Sequence, residues 1–442
     1  MKTTRLLLCI GLCLTLTGLA TPLLAEEEGD KAGGFEGWKE GDPPKPAEEP
    51  KPAEPPAPVE EPKPVEQPKP VEVGLGANAP GSHESFVPKV DLRYGSVQLM
   101  GVFQALMTSM VYINDDEDGL PDIDNTFMFR LQRARIMLKG HVASEKLEYF
   151  FQGDAVNTFS FALDAYLNYK IPMGSQLLQV RAGRFVPDFS FMMPRNTADL
   201  AAINYPLYLA GAPGAFATWR QTGIEIIYTP MANLNVMLGG FNGLQGDPFR
   251  LNPAANYMEI RDIAYTDPGT GATLNWSNAL DNNKAKDFLL SVNYKIGDVA
   301  IALSNWFGMP LNLDDADEND FIYMGVLGGE WNNNKIHAVG EFAFRAIDYG
   351  VDNVDSVYSF ALWGHFGYRV IDLLEVIARI DWYEPNLDND ADMLMRLTTG
   401  LHLWLEEKHF RVLFNLYWDI PVEEFDNRIV PMGILVQAAA LW

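Results

Sequence analysis

From Val90 to Trp442 the sequence repeats with a period of two, and no other feature limits its fold as strongly. In Leu374-Glu375-Val376-Ile377-Ala378-Arg379-Ile380-Asp381-Trp382 one face is Leu, Val, Ala, Ile and Trp, while the other carries Glu, Arg and Asp. Leu163 to Lys170 and Phe410 to Leu416 read the same way. Alternation of this kind marks strands with two unlike faces. In a soluble sandwich the apolar face would be the core, yet here nearly every segment has one and no long helical pattern is at hand to cover them. An all-β fold, a transmembrane antiparallel β-barrel, resolves the excess. Lipid takes the apolar face, water takes the polar face, and closure leaves no unpaired edge in the bilayer.

Sixteen candidate strands follow, at 94–113, 127–141, 146–156, 159–171, 176–186, 218–229, 233–242, 286–296, 299–309, 321–332, 335–347, 356–370, 373–384, 393–406, 409–420 and 433–442. The connections alternate short and long. Short ones are Pro172 to Ser175, Pro230 to Ala232, Gly297-Asp298 and Asn332 to Asn334; long ones such as 114–126, 187–217, 243–285 and 310–320 are acidic or rich in Gly and Pro. Outer-membrane barrels have this asymmetry, with tight periplasmic turns and long external loops. An even strand count puts both ends of the barrel on the periplasmic side, and an alternating last strand ending in Trp442 is what such barrels present for insertion.

The N-terminus stands apart. Lys2 and Arg5, the apolar stretch Leu6 to Ala20 and the small-residue site before Glu26 predict a secretory signal peptide over 1–25. Both cysteines, Cys9 and Cys13, fall inside it, so thiolate catalysis, disulfides and Cys-bound metals drop out of the mature chain. Residues 26–89 form an acidic, disordered Pro-rich segment with Lys-Pro-Ala-Glu and Lys-Pro-Val-Glu repeats, a semi-rigid spacer in the periplasm. Its stretch 43–72 spans roughly 90 Å at about 3.1 Å per residue, and contact with peptidoglycan is one reading of it; a solvated linker is the other. The barrel proper is 90–442, in an outer membrane of a Gram-negative bacterium, in contact with outer-membrane lipid and lipopolysaccharide. A net charge of −26 argues against a nucleic-acid partner.

Five blocks, in order, carry a family resemblance: Phe129-Arg130-Leu131-Gln132-Arg133-Ala134-Arg135 with Lys139-Gly140, Asp164 to Tyr169, Val180 to Pro187, Gly239 to Gly243, and Ile377 to Asn386. In their order and spacing the chain resembles the phosphate-selective porin O and P family. The resemblance implies a sixteen-stranded, trimeric outer-membrane channel that passes small anions such as phosphate. It also implies that the long third external loop, 187–217, folds into the barrel and narrows it. That loop holds Phe189, Phe191, Arg195, Asn204, Tyr205, Pro206 and Tyr208, too apolar for a freely solvated loop, so it either constricts the pore or packs at a subunit interface.

Taking the apolar parity as outward, the lumen is lined by Arg133, Arg135, Lys139, Asp164, Tyr166, Lys170, Arg181, Arg345, Arg379, Arg396 and Arg411, with Glu225, Glu341 and Asp381 among the inward acids. Either the arginines form a ladder for anions or they pair with those acids. The first external loop places Asn114, Asp116, Asp118 and Asp122 around Gly119, a partial calcium-loop pattern whose twelfth position is Asn125. The alternative there is an acidic loop. No other cofactor is expected. Nor is catalysis, since the six histidines are scattered in sequence and no nucleophile elbow or phosphate loop occurs. A rival to the channel is a barrel anchor whose Pro-rich arm tethers the outer membrane to peptidoglycan.

Overall fold

The computed structural model describes residues 89–115, 121–156, 162–195, 200, 202–210, 216, 220–243, 264–266, 273–275, 286–309, 320–333, 335–348, 356–388, 393–406, 409–421 and 432–441. The expected signal peptide, nearly all of the spacer with its 43–72 stretch, and the calcium candidates Asp116 and Asp118 lie outside them.

The strands are β1 Val90–Leu92, β2 Gly95–Asp115, β3 Pro121–Val142, β4 Ser144–Asp154, β5 Ala162–Met173, β6 Gln176–Phe185, β7 Gln221–Met231, β8 Leu234–Phe241, β9 Ala264–Thr266, β10 Thr273–Asn275, β11 Asp287–Ile296, β12 Val299–Gly308, β13 Phe321–Asn332, β14 Ile336–Asp348, β15 Val357–Ile371, β16 Leu374–Glu384, β17 Leu394–Glu406, β18 Phe410–Pro421 and β19 Met432–Leu441, with one turn of helix, α1, at Leu207–Ala210. Each strand from β2 to β8 pairs antiparallel with the next, β8 pairs with β11, and the run continues to β19. There β19 returns to β2, from Leu441 opposite Val102 to Met432 opposite Val111, and a sixteen-stranded barrel closes. Short β1 doubles back on β2, and β9 pairs only with β10. All sixteen barrel strands coincide with segments read from the alternation.

At one end the connections are one to three residues long: Ala143, 174–175, 232–233, 297–298, 333–335, 372–373 and 407–409. Gly174 and Gly297 take positive φ there, 67° and 57°, which only glycine does without a Cβ penalty. At the other end the connections run from five residues (116–120) to forty-five (242–286). The first is shorter than the sequence suggests. β2 and β3 extend into the expected loop 114–126, so that Asn114 and Asp122 face each other across the ladder.

Strand β16 shows the two faces clearly. Val376, Ile380 and Trp382 are 40%, 49% and 40% exposed on the outside, whereas Glu375, Arg379, Asp381 and Tyr383 are 8%, 4%, 1% and 0% exposed on the inside. A bulge breaks the parity once in β3. Gln104 opposes Arg133 and Ala105 opposes Leu131, so Gln132 is the extra residue, and Arg133 keeps its inward aim. Gln132 itself reaches the inward Gln437, which donates to it at 2.6 Å.

The main hydrophobic core joins the inside of the wall to a loop. Phe189, Phe191, Met192, Leu200, Tyr208, Leu209 and Phe216 pack with inward residues of β8 and β11–β16, among them Phe241, Trp306, Met324, Trp363 and Tyr383. Apart from Tyr166, inward aromatics are absent from the parity reading of the sequence, which assigned apolar residues to lipid.

Candidate functional site

The loop between β6 and β7 lies inside the barrel because both its apolar and its polar groups find partners there. Glu341 of β14, 2% exposed, accepts from the Tyr208 hydroxyl at 2.6 Å, from Trp363 Nε1 at 2.8 Å and from the Phe191 amide at 2.6 Å. Burial and the adjoining Glu341 carboxylate push the Tyr208 phenol well above its ordinary value, so the hydroxyl stays protonated and donates. Arg195 crosses to Glu330 of β13 at 2.6 Å. Its Nε donates back to the Phe191 carbonyl at 2.9 Å, which stiffens the turn between them.

The tip is held on β16 and β18. Arg379 donates to the carbonyls of Asn204 and Tyr205, at 2.7 and 2.9 Å, while gripping Asp381 through Nε and Nη2 at 2.7 and 2.9 Å. Asp381 in turn accepts from the Leu207 amide at 3.2 Å. Asn415 takes the Ile203 amide at 2.9 Å, and Arg411 reaches the Leu200 carbonyl at 3.5 Å. Backbone groups that a free loop would give to water are satisfied here by wall side chains, so the loop has one preferred seat. All four loop residues named from the sequence, Arg195, Asn204, Tyr205 and Tyr208, take part in this seating; the sequence contains no sign of which wall residues receive them.

Elsewhere the inward cations are mostly matched by carboxylates. Arg135 pairs with Asp154 at 2.9 Å, and Arg396 with Asp419 at 2.8 Å. Asp164 is held by Arg220 in a two-pronged contact at 3.0 and 3.1 Å, a partner outside the expected lumen set. Lys170 meets Glu148 at 2.8 Å. Arg181 lies 3.2 Å from Glu225 and 3.8 Å from Asp188 of the loop, with its guanidinium 5.2 Å over the rings of Tyr166 and Phe185. Burial pushes the Asp188 carboxyl up, against the pull of Arg181. Tyr166 also stacks on Phe150 at 5.3 Å. Arg133 donates to Gln104 at 2.8 Å, Arg345 donates to Ser359 at 2.8 Å beneath the Phe216 ring, and Lys139 sits half-buried on the same face of β3. Pairing of this kind satisfies charge that a partly buried wall could not otherwise hold, and it leaves less net charge than the arginine count suggests.

Three further groups on this wall have no warning in the sequence. His337, His365 and His402, distant along the chain, all face inward, the first two with ring centres 5.6 Å apart. Only the pairing of β14, β15, β16 and β17 brings them together.

No family model and no curated protein matches the chain. Solved structures do. An anion-selective porin from Comamonas acidovorans superposes with a TM-score of 0.53 at 15% identity, covering 79% of this chain and 100% of that one. The outer-membrane channel DcaP of Acinetobacter baumannii gives 0.53 at 11% identity over 81% and 100%. OmpT, an outer membrane protein of Vibrio cholerae, gives 0.51 at 13% over 81% and 100%. At these identities the likeness is one of fold, and the fold is that of the outer-membrane porins.

Proposed function

We propose that this barrel is an outer-membrane porin through which small hydrophilic solutes, foremost anions such as phosphate, diffuse passively past an infolded loop. The seating of the described loop residues, among them Phe191, Arg195, Asn204 and Tyr208, on the inner wall carries the reading, because a loop tied by Glu330, Glu341, Arg379, Asp381 and Asn415 narrows a lumen that sixteen strands would otherwise leave wide. An anchor would have no use for such an internal tie. The preference for anions draws support from the inward arginines, from the five blocks resembling the phosphate-selective porin O and P family, and from the barrel fold shared with the anion-selective porin of Comamonas acidovorans. The same reading makes the chain a homotrimer bathed in outer-membrane lipid and lipopolysaccharide, with residues 26–89 in the periplasm.

Planar-bilayer recording tests it. The purified protein is expected to give discrete conductance steps, a reversal potential in a salt gradient on the anion side, and partial block by phosphate. Cation-selective steps would remove the anion and phosphate assignments, and silence from folded protein would remove the channel. Replacing Arg133, Arg135 and Arg181 together with alanine strips three positive charges and leaves Asp154 and Glu225 without their partners. The anion-to-cation permeability ratio is then expected to fall by about threefold or more; an unchanged ratio shows that these arginines serve only their partners in the wall.

A further inference from the structure

Two carboxyls and one guanidinium meet at the root of the internal loop. Arg181 of β6 donates to Glu225 of β7 at 3.2 Å, and Asp188, just past the end of β6, brings its Oδ2 to 3.8 Å from the same Nη1. The Asp188 backbone N–H donates to the Glu225 carboxylate as well, so the loop is tied to β7 at this point. Glu225 is 0% exposed and Asp188 8%, and the Tyr166 and Phe185 rings lie against the guanidinium. One carboxylate oxygen, Glu225 Oε1, is buried without a hydrogen-bond partner. Out of water a bare carboxylate oxygen is costly, and a proton relieves it.

The charges at this root do not balance. The other charged groups that face it are matched among themselves, Asp164 of β5 with Arg220 and Glu148 of β4 with Lys170. Arg184, further along β6, acts on Asp164 and Arg220. The Tyr166 phenol of β5 is the remaining titratable neighbour, and a phenol is uncharged until the medium is strongly alkaline. Among the described residues, one positive charge is thus left for two negative ones. Two carboxyls that share a site out of water resist ionising together, and a single proton between them makes the cluster neutral. Burial already pushes the Asp188 carboxyl up.

We propose that Arg181, Asp188 and Glu225 form a proton-held latch at the loop root: one proton shared by the two carboxyls keeps the root against β7, and its loss as the medium turns alkaline frees the root and widens the passage. The proposal rests on the porin reading and adds its regulation. Seated, the Asp188 carboxyl holds its proton above the ordinary carboxylate range; swung into lumen water, it returns to that range. The seated loop therefore binds more protons than the released one, and its hold weakens as the pH rises toward the raised value. Beyond Asp188 the loop is held by contacts that carry no part of this charge, Phe189 against Trp306 at 6.3 Å and the Phe191 amide on Glu341. The root moves first, while the tip stays on Arg379.

Single-channel conductance of the full-length protein, measured at about pH 5.5 and about pH 9, tests the latch beside the variants Asp188→Asn and Glu225→Gln. Each variant removes one carboxyl, keeps its shape and leaves Arg181 with a single acid. Native conductance is expected to rise by about 1.3-fold or more across the interval, and each variant to show less than half of that rise. A flat native conductance overturns the latch and leaves the porin standing, as does an undiminished rise in either variant. Silence of the folded native protein overturns the porin, and the latch with it. Should one variant not fold, the other decides alone. Should neither fold, infrared spectra of the native protein decide: the carboxylic C=O band fades over the interval in which conductance rises, and a band unchanged there overturns the latch.

Discussion

Arg379→Ala is expected to release the tip of the internal loop and to raise single-channel conductance by roughly a third or more. The guanidinium joins three things at once: the Asp381 carboxylate and the carbonyls of Asn204 and Tyr205. Without it, Asp381, 1% exposed, is left with the Leu207 amide as its hydrogen-bond donor from the loop. Removing one partner of a buried ion pair costs about 3–5 kcal/mol, and each stranded carbonyl adds about 1–3 kcal/mol. The barrel ladder does not depend on those groups, so the strain is relieved by the loop leaving its seat. Arg379→Lys offers a single ammonium where a fork is needed and is expected to fall between the native protein and the alanine variant. Conductance histograms on the three proteins check this. Identical histograms would mean that residues 200–208 do not bound the narrowest passage.

Glu341→Ala has the larger effect on stability. It removes the acceptor shared by the Tyr208 hydroxyl, the Trp363 indole and the Phe191 amide, deep in the core between loop and wall. At about 1–3 kcal/mol for each buried donor, a loss of several kcal/mol is expected, read as a lower midpoint of thermal unfolding and as faster proteolysis within 186–220. Glu341→Gln keeps one acceptor oxygen and is expected to lose less than half as much. Equal midpoints for native and alanine proteins would show that the aromatic packing of Phe189, Trp306 and Phe216 holds the loop by itself.

The barrel was legible because its strands must satisfy lipid on one side and water on the other, and that demand writes a period of two into residues such as Val376, Arg379, Ile380 and Asp381. The loop was legible too, by its surplus of Phe, Tyr and Ala. What could not be read was who meets whom. Glu341 belongs to a strand 150 residues after Phe191, whose amide it accepts, and nothing local in either segment announces the pairing. Arg220, the partner of Asp164, lies just before a strand whose pattern says nothing of charge pairing. The inward aromatics Trp306, Trp363 and Tyr383 break the rule that apolar means lipid-facing, because the loop supplies a second apolar surface inside. The bulge at Gln132 is invisible for another reason: it changes the register by one residue without changing the composition. The extension of β2 and β3 toward Asn114 and Asp122 came where polar residues resembled a loop, although strands above the membrane rim need no apolar face.

The pairing order has a consequence for how the molecule comes to exist. Every hairpin from β2 to β8 and from β11 to β19 joins strands that are neighbours in the chain, so those contacts can form locally as the polypeptide emerges. β8 meets β11 across a longer connection, and one junction spans the whole barrel: β2, near its start, meets β19 at its finish. Until that seam zips, the sheet has two raw margins, each a row of unshared amides and carbonyls that hydrocarbon will not tolerate. Biogenesis is thus all-or-nothing at its last step, and a chain cut short by the length of β19 would be left as a curled ribbon with no stable place in the bilayer.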